Sequence, residues 1–200
     1  MMRLVKCTLK LGWDICESGK IAELYEMAFG EKFASAISEK SGRLTVLEKS
    51  FLPQFSYIAL FEGKVVGVAG FKAKEGSLTG GLDFNGLVAC LGFAKGLKAA
   101  LLFSLFERKA RKNELLMDGI AVDMKYRGLG IGSQLLDAII DYAAQNKYDS
   151  VRLDVIDSNV RARKLYDAKG FIATKHEYYP YLKFLLGFSG STTMHYNIKK

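Results

Sequence analysis

Apolar positions along the chain recur with two periods, and the changes of period mark out the elements. Residues 4–9 read as a first strand. Ile21, Leu24, Tyr25, Ala28 and Phe29 follow the i, i+3, i+4, i+7, i+8 spacing of an amphipathic helix. Gly30 reads as its stop, and a short second helix is expected over residues 31–38 with Phe33 and Ile37 inward. Residues 55–61, rich in aromatic and aliphatic side chains, and 64–71, with Val65-Val66-Gly67-Val68-Ala69, read as strands around Glu62-Gly63, a hairpin turn. The most apolar window, 86–106, repeats Leu87, Leu91, Ala94, Leu97, Leu101 and Leu102 at helical spacing, weakened by Gly86, Gly92 and Gly96. Residues 115–123 return to strand character. Leu135, Leu136, Ile139, Ile140, Ala143 and Ala144 then form the clearest helical stripe in the chain. Val151, Leu153 and Val155 alternate as a strand. Asn159 is placed to N-cap a helix reaching Lys169, with Gly170 after it. Residues 171–177 and 192–198 complete a sheet. The order, β-α-α-β-β-insert-β-α-β-α-β-β, describes one α/β (α+β) domain over residues 1–200 with a helical insert at 78–113.

Length and composition agree with one folded domain. The 200 residues are 50% hydrophobic, and a chain of this size buries roughly 70% of its unfolded surface without staples. Cys7, Cys16 and Cys90 are too few and too dispersed for a disulfide scaffold. With His176 and His195 as the only histidines, no metal site is expected. No targeting segment is legible near the start, so a cytoplasmic protein is expected. Lys95 and Lys98 near the centre of the apolar window argue against a membrane span. Membrane contact is therefore not expected. The insert's apolar stripe suits core packing or a face for a second copy. The formal charge of +8 favours an anionic partner without choosing which one.

The run Arg127-Gly128-Leu129-Gly130-Ile131-Gly132 joins a strand to the strongest helix. Glycines let the backbone turn tightly and approach a ligand. The first-turn N–H groups and the helix dipole then favour an anion, to which Arg127 adds a charge. The dinucleotide fingerprint G-x-G-x-x-G fails, because the third glycine comes one residue early. No G-x-x-x-x-G-K-[ST] loop occurs either. What matches is R-x-x-G-x-G.

That motif resembles the signature of the GNAT superfamily, N-acetyltransferases that use acetyl-coenzyme A. Its flanks extend the likeness over residues 115–171. Gly119-Ile120-Ala121-Val122-Asp123 precedes it, Val151-Arg152-Leu153-Asp154-Val155 and Ser158-Asn159 follow, and Lys164-Leu165-Tyr166-Asp167-Ala168-Lys169-Gly170-Phe171 is similar to the family's A-x-x-L-Y-x-x-x-G-F. The resemblance implies a mixed, largely antiparallel sheet flanked by helices, with strands four and five splayed. It implies that backbone groups of Ile120, Ala121 and Val122 hold pantetheine, with Gly119 as a bulge site. Leu129, Gly130, Ile131, Gly132 and Ser133 would hold the pyrophosphate, with Arg127, Gly128, Asn159 and Tyr166 beside the cofactor. Tyr166 would serve the leaving thiolate as acid. For the base, Asp154 is preferred, with Glu114 next and Asp118 third. The acceptor would be a small-molecule or peptide amine. Part of the positive surplus suits the cofactor, and no nucleic-acid partner is expected.

Blander readings exist for each residue. Tyr166 also reads as a core tyrosine, Asp154 as an ion-pair partner of Arg152 or Arg161, and Asn159 as an N-cap alone. The histidines call for no special role, and residues 178–181 (Tyr-Tyr-Pro-Tyr) line either an acceptor pocket or the core. Two other functions compete with the enzyme: a non-catalytic acyl-CoA sensor, and a docking protein acting on a partner or membrane through the insert.

Overall fold

The computed structural model describes residues 5–106, 108–180 and 188–198, apart from the side chains of residues 32, 105 and 106. Leu4 and Tyr181 fall outside it. Seven strands form one sheet: β1 (Thr8–Leu11), β2 (Ser56–Phe61), β3 (Lys64–Lys72), β4 (Glu114–Val122), β5 (Ser150–Ile156), β6 (Ile172–Tyr178) and β7 (Gly190–Asn197). Their order is β1-β2-β3-β4-β5-β7-β6. Only β4 and β5 run parallel; every other neighbouring pair is antiparallel.

Helix α5 (Ile131–Gln145) packs its stripe of Leu135, Leu136, Ile139 and Ala143 on one face of the sheet. There it meets Leu115, Val151, Leu153, Val155 and Met194. Helix α6 (Val160–Ala168) joins this core through Tyr166. The opposite face, over β2, β3 and β4, carries α1 (Ser18–Ala34) and α2 (Lys40–Ser50). Ile21, Leu24, Tyr25 and Leu47 close over Ile58, Val68 and Ala121 there. Period-2 alternation sends Val68 to one core and its neighbour Ala69, with Phe71, to the other, and a bulge at Val66 shifts the phase so that Val66 joins the Ala69 side.

Helix α1 does not stop at Gly30, and the short helix at 31–38 does not form. Arg43 Nη2 and Nε lie 2.7 and 2.9 Å from Glu26 Oε1, one turn before Gly30. A Cβ on Gly30 would overlap the Glu26 carboxylate. The glycine therefore serves a close approach inside the helix, which outweighs its cost of about 1 kcal/mol there.

Between β3 and β4 the chain forms two helices joined at Gly92, α3 (Phe84–Leu91) and α4 (Phe93–Phe106). Leu87 and Ala99 pack on Ala36, Ile37 and Val46, while Phe93, Leu97 and Leu101 stay exposed. Among the described residues no helix is long and apolar enough to cross a membrane. The two helices touch backbone to backbone: a Cβ on Gly96 would come within 2.9 Å of Val88 Cα and 3.0 Å of Val88 N. Gly96→Ala is therefore expected to cost about 1–3 kcal/mol by overpacking. Thermal unfolding reads this as a Tm loss of roughly 2–4 °C per kcal/mol. An unchanged Tm would refute the close contact.

Candidate active site where two parallel strands part

Strands β4 and β5 pair only at Glu114↔Ser150, Leu115↔Val151 and Leu116↔Arg152. Beyond Leu116 each strand keeps its outer neighbour alone, β3 for β4 and β7 for β5. The parting coincides with a bulge. Gly70 faces Gly119 while Phe71 faces Met117, so Asp118 is the extra residue. The bulge thus falls one residue before Gly119, the position expected from the sequence. Gly119 has a separate reason to lack a side chain, since a Cβ would strike the Phe29 ring. A bulge raises local twist and turns the strand away from its partner. The result is a wedge inside the sheet: the backbone groups of Ala121 face β3, while those of Ile120 and Val122 face the gap that β5 leaves, as at a strand edge.

At the wide end of the wedge lies the glycine turn. Arg127 Nε–H donates to Val122 O at 3.0 Å and ties the turn to the end of β4. Gly128 and Gly130 hold φ of +89° and +83°, which L side chains rarely adopt. Gly130 is the N-cap of α5 and offers no side-chain acceptor. The amides of Ile131, Gly132 and Ser133 therefore lack an intrahelical partner. At Gly132 the protein itself makes no demand for glycine: a Cβ would meet only Leu165 Cδ2 at 3.4 Å and Val122 Cγ2 at 3.9 Å. The bare backbone there suits close approach by an anion such as a diphosphate. Arg161 adds a cation that the motif did not reveal, its Nη2 3.7 Å from where a Gly128 Cβ would stand.

Helix α6 starts at Asn159, whose Oδ1 accepts from Ala162 N at 3.1 Å. The helix places Tyr166 in the core on the α5 face, its ring 5.9 Å from that of Phe171. Burial pushes the phenol pKa from 10.0 up to about 12.

The other face of the wedge is polar. Strand alternation puts Arg152 and Asp154 opposite the core-facing Leu153, and β7 aligns His195 with Arg152 and Thr193 with Asp154. Arg152 bridges two carboxylates: Nη1 lies 3.4 Å from Glu114 Oε2, and Nη2 3.3 Å from Asp154 Oδ2. Glu114 Oε2 also accepts from Arg111 N at 3.0 Å, and its Oε1 lies 3.1 Å from His195 Nε2. His195 Nδ1 sits 2.8 Å from Thr174 Oγ1. The Thr193 hydroxyl donates to Asp154, and Arg108 Nε stands 3.8 Å from it. A cavity of about 580 Å³ opens over this face, walled by Arg108, Arg111, Arg152, Lys175 and His195 among others. Asp118 lies apart, exposed, hydrogen-bonded to the Tyr25 phenol and within 3.3 Å of the Thr79 hydroxyl. That contact and burial raise the Tyr25 pKa well above 10.0, burial contributing most.

Residues 20–171 match the family model described as the acetyltransferase (GNAT) family. The chain belongs to the GNAT acetyltransferase family. Among curated relatives, it is 36% identical over 70 residues to a probable N-acetyltransferase, camello, of Xenopus tropicalis. That stretch covers 35% of this chain and 32% of the relative. It is 28% identical over 71 residues to a spermine/spermidine N(1)-acetyltransferase of Bacillus subtilis, covering 35% and 47%. The match therefore spans less than half the length of either relative. The GNAT fold extends further. An N-acetyltransferase from Staphylococcus aureus Mu50 superimposes with TM-score 0.66 at 19% identity, over 94% of this chain and all of that one. A putative acetyltransferase from Salmonella typhimurium, solved with acetyl-CoA, gives 0.58 at 16% identity over 98% and 96%.

On this GNAT frame the sequence-derived residues fall into two groups. Ile120 and Val122, with Ala121 between them, and residues 127–133 line the wedge and its mouth, with Tyr166 on the α5 side. Glu114 and Asp154 lie on the opposite side, joined through Arg152. His195, read from the sequence as unremarkable, is hydrogen-bonded into the same cluster. Its partner Glu114 is 81 residues away, and only the sheet register reveals the pairing.

Proposed function

We propose that this chain is an N-acetyltransferase that moves an acetyl group from acetyl-CoA to a primary amine by direct attack in a ternary complex. The observation that carries this reading is the wedge between β4 and β5, with uncapped helix amides at its mouth, a buried Tyr166 on the α5 side and the Glu114 and Asp154 carboxylates on the other face. Bound acetyl-CoA supplies an activated thioester and a thiol leaving group. The amides of residues 129–133 hold its diphosphate, helped by Arg127 and Arg161. The free edge of β4 at Ile120 and Val122, with Ala121 between them, receives the pantetheine amides as a neighbouring strand would.

Asp154 takes the amine proton from the polar face, with Glu114 as the second carboxylate of that cluster. The amine nitrogen then bonds to the acetyl carbon as the carbon–sulfur bond breaks, and the second proton that the nitrogen sheds passes through water to the departing thiolate, giving the amide and free thiol. Tyr166 supports the departing sulfur. A phenol near pKa 12 stays protonated across the working range. Against a thiol of pKa about 8.5, outright transfer would be uphill by roughly 5 kcal/mol. Tyr166 therefore stabilises the thiolate chiefly as a hydrogen-bond donor, the role of an oxyanion-hole group.

Calorimetric titration tests the first half of the reading. Acetyl-CoA and free CoA are expected to bind, and NAD is not; absence of CoA binding overturns the proposal. Release of free thiol with an amine present tests the second half. Binding without any turnover favours the acyl-CoA sensor instead.

A further inference from the structure

We infer that the acceptor amine carries an anionic group, a carboxylate or phosphate, seated in the cavity over β5, β6 and β7. The inference rests on the acetyltransferase reading above. The cavity begins where the wedge begins, because Arg152 both lines it and forms the last β4–β5 pair opposite Leu116. Asp154 adjoins the cavity through Thr193 and Arg108, both of which line it and contact the Asp154 carboxylate, so an acceptor whose anionic end is held there reaches Asp154 with its amine.

The charge balance of the cavity is uneven. Glu114 and Asp154 are both engaged by Arg152. Glu177 is shared by Arg108 at 3.5 Å and Lys175 at 2.7 Å, and contact with these cations holds its pKa below the usual carboxylate range. Arg111 is left over. Its backbone N–H serves Glu114, while its guanidinium has no partner among the described residues. An unused guanidinium on the wall of a cation-rich cavity fits a planar carboxylate or a phosphate. A polyamine would need the opposite, a surplus of carboxylates, because a cation brought beside Arg111 is repelled.

The test compares four amines sharing one alkyl scaffold: 4-aminobutanoate, 4-aminobutyl phosphate, 1-aminobutane and spermidine. Thiol release with saturating acetyl-CoA gives kcat/KM for each. The anionic amines are expected to exceed 1-aminobutane by about 10- to 100-fold, the worth of one charge-assisted hydrogen bond, with spermidine the poorest. The faster of the two anions identifies the group. Arg111→Ala, at an exposed position, is expected to collapse the anionic-to-neutral ratio towards one. Equal rates across the series, faster release with spermidine, or release with none of the four overturns the inference. Failure to bind acetyl-CoA in the titration is a separate result and overturns the acetyltransferase reading itself.

Discussion

Tyr166→Phe is expected to lower kcat by about 10²- to 10³-fold, the cost of removing one preorganised donor to developing negative charge. Acetyl-CoA affinity should change little, because the ring stays packed on Phe171 and only the hydroxyl is lost. Single-turnover thiol release and calorimetric titration separate the two quantities. A rate within a factor of about three of the parent would remove Tyr166 from the chemistry. The same variant carries a second signature in alkali. Burial raises the folded phenol to about 12, while the unfolded chain ionises near 10. Stability tied to the neutral phenol is complete below about pH 10. It falls as pH rises from there towards 12, by up to roughly 2–3 kcal/mol. Tyr166→Phe should therefore lose less Tm than the parent between those pH values. An equal loss in both proteins would place the hydroxyl in water.

The parts of the site that were legible in the sequence are those set by neighbours along the chain. Gly128 and Gly130 announce positive φ by being glycine. Asn159 caps its own helix three residues on. The stripe from Leu135 to Ala143 and the alternation of Val151, Leu153 and Val155 state which face each element buries. The parts that were not legible depend on residues brought together only by the sheet. Gly30 looked like a stop, but the Glu26 carboxylate over it is fixed by Arg43, 17 positions away. The bulge at Asp118 is a matter of register against β3. His195 acquires meaning only because antiparallel pairing sets it beside Arg152, and Arg152 sits beside the start of β4. Local pattern carries no trace of such pairings, since any polar residue on that face of β7 would preserve the alternation.

Arg152→Met is the variant from which the largest stability loss is expected, about 3–5 kcal/mol, because it leaves buried carboxylates without their shared cation. The side chains of Arg152, Glu114 and Asp154 are 12%, 4% and 17% exposed. Methionine keeps an unbranched apolar stem like that of arginine and lacks the guanidinium, so packing of the stem is largely retained and the charge is what is lost. Glu114 would keep the Arg111 amide and His195, and Asp154 would keep Thr193 and the more distant Arg108. Two carboxylates would then share one poorly solvated face. At roughly 2–4 °C per kcal/mol the Tm should fall by about 6–20 °C. The double variant Arg152→Met, Glu114→Leu decides the cause. Removing both charges relieves the unpaired carboxylate, so the double variant should regain more than 1 kcal/mol over the single one. Additive losses would mean that the pair is solvated and contributes little. The pair also bears on catalysis. It joins β4 to β5 in the three-residue stretch that pairs the two strands, immediately below the point where they part. A weakened clamp there would let the wedge open. In that case the single variant should lose acetyl-CoA affinity and turnover together, even at temperatures where it remains folded.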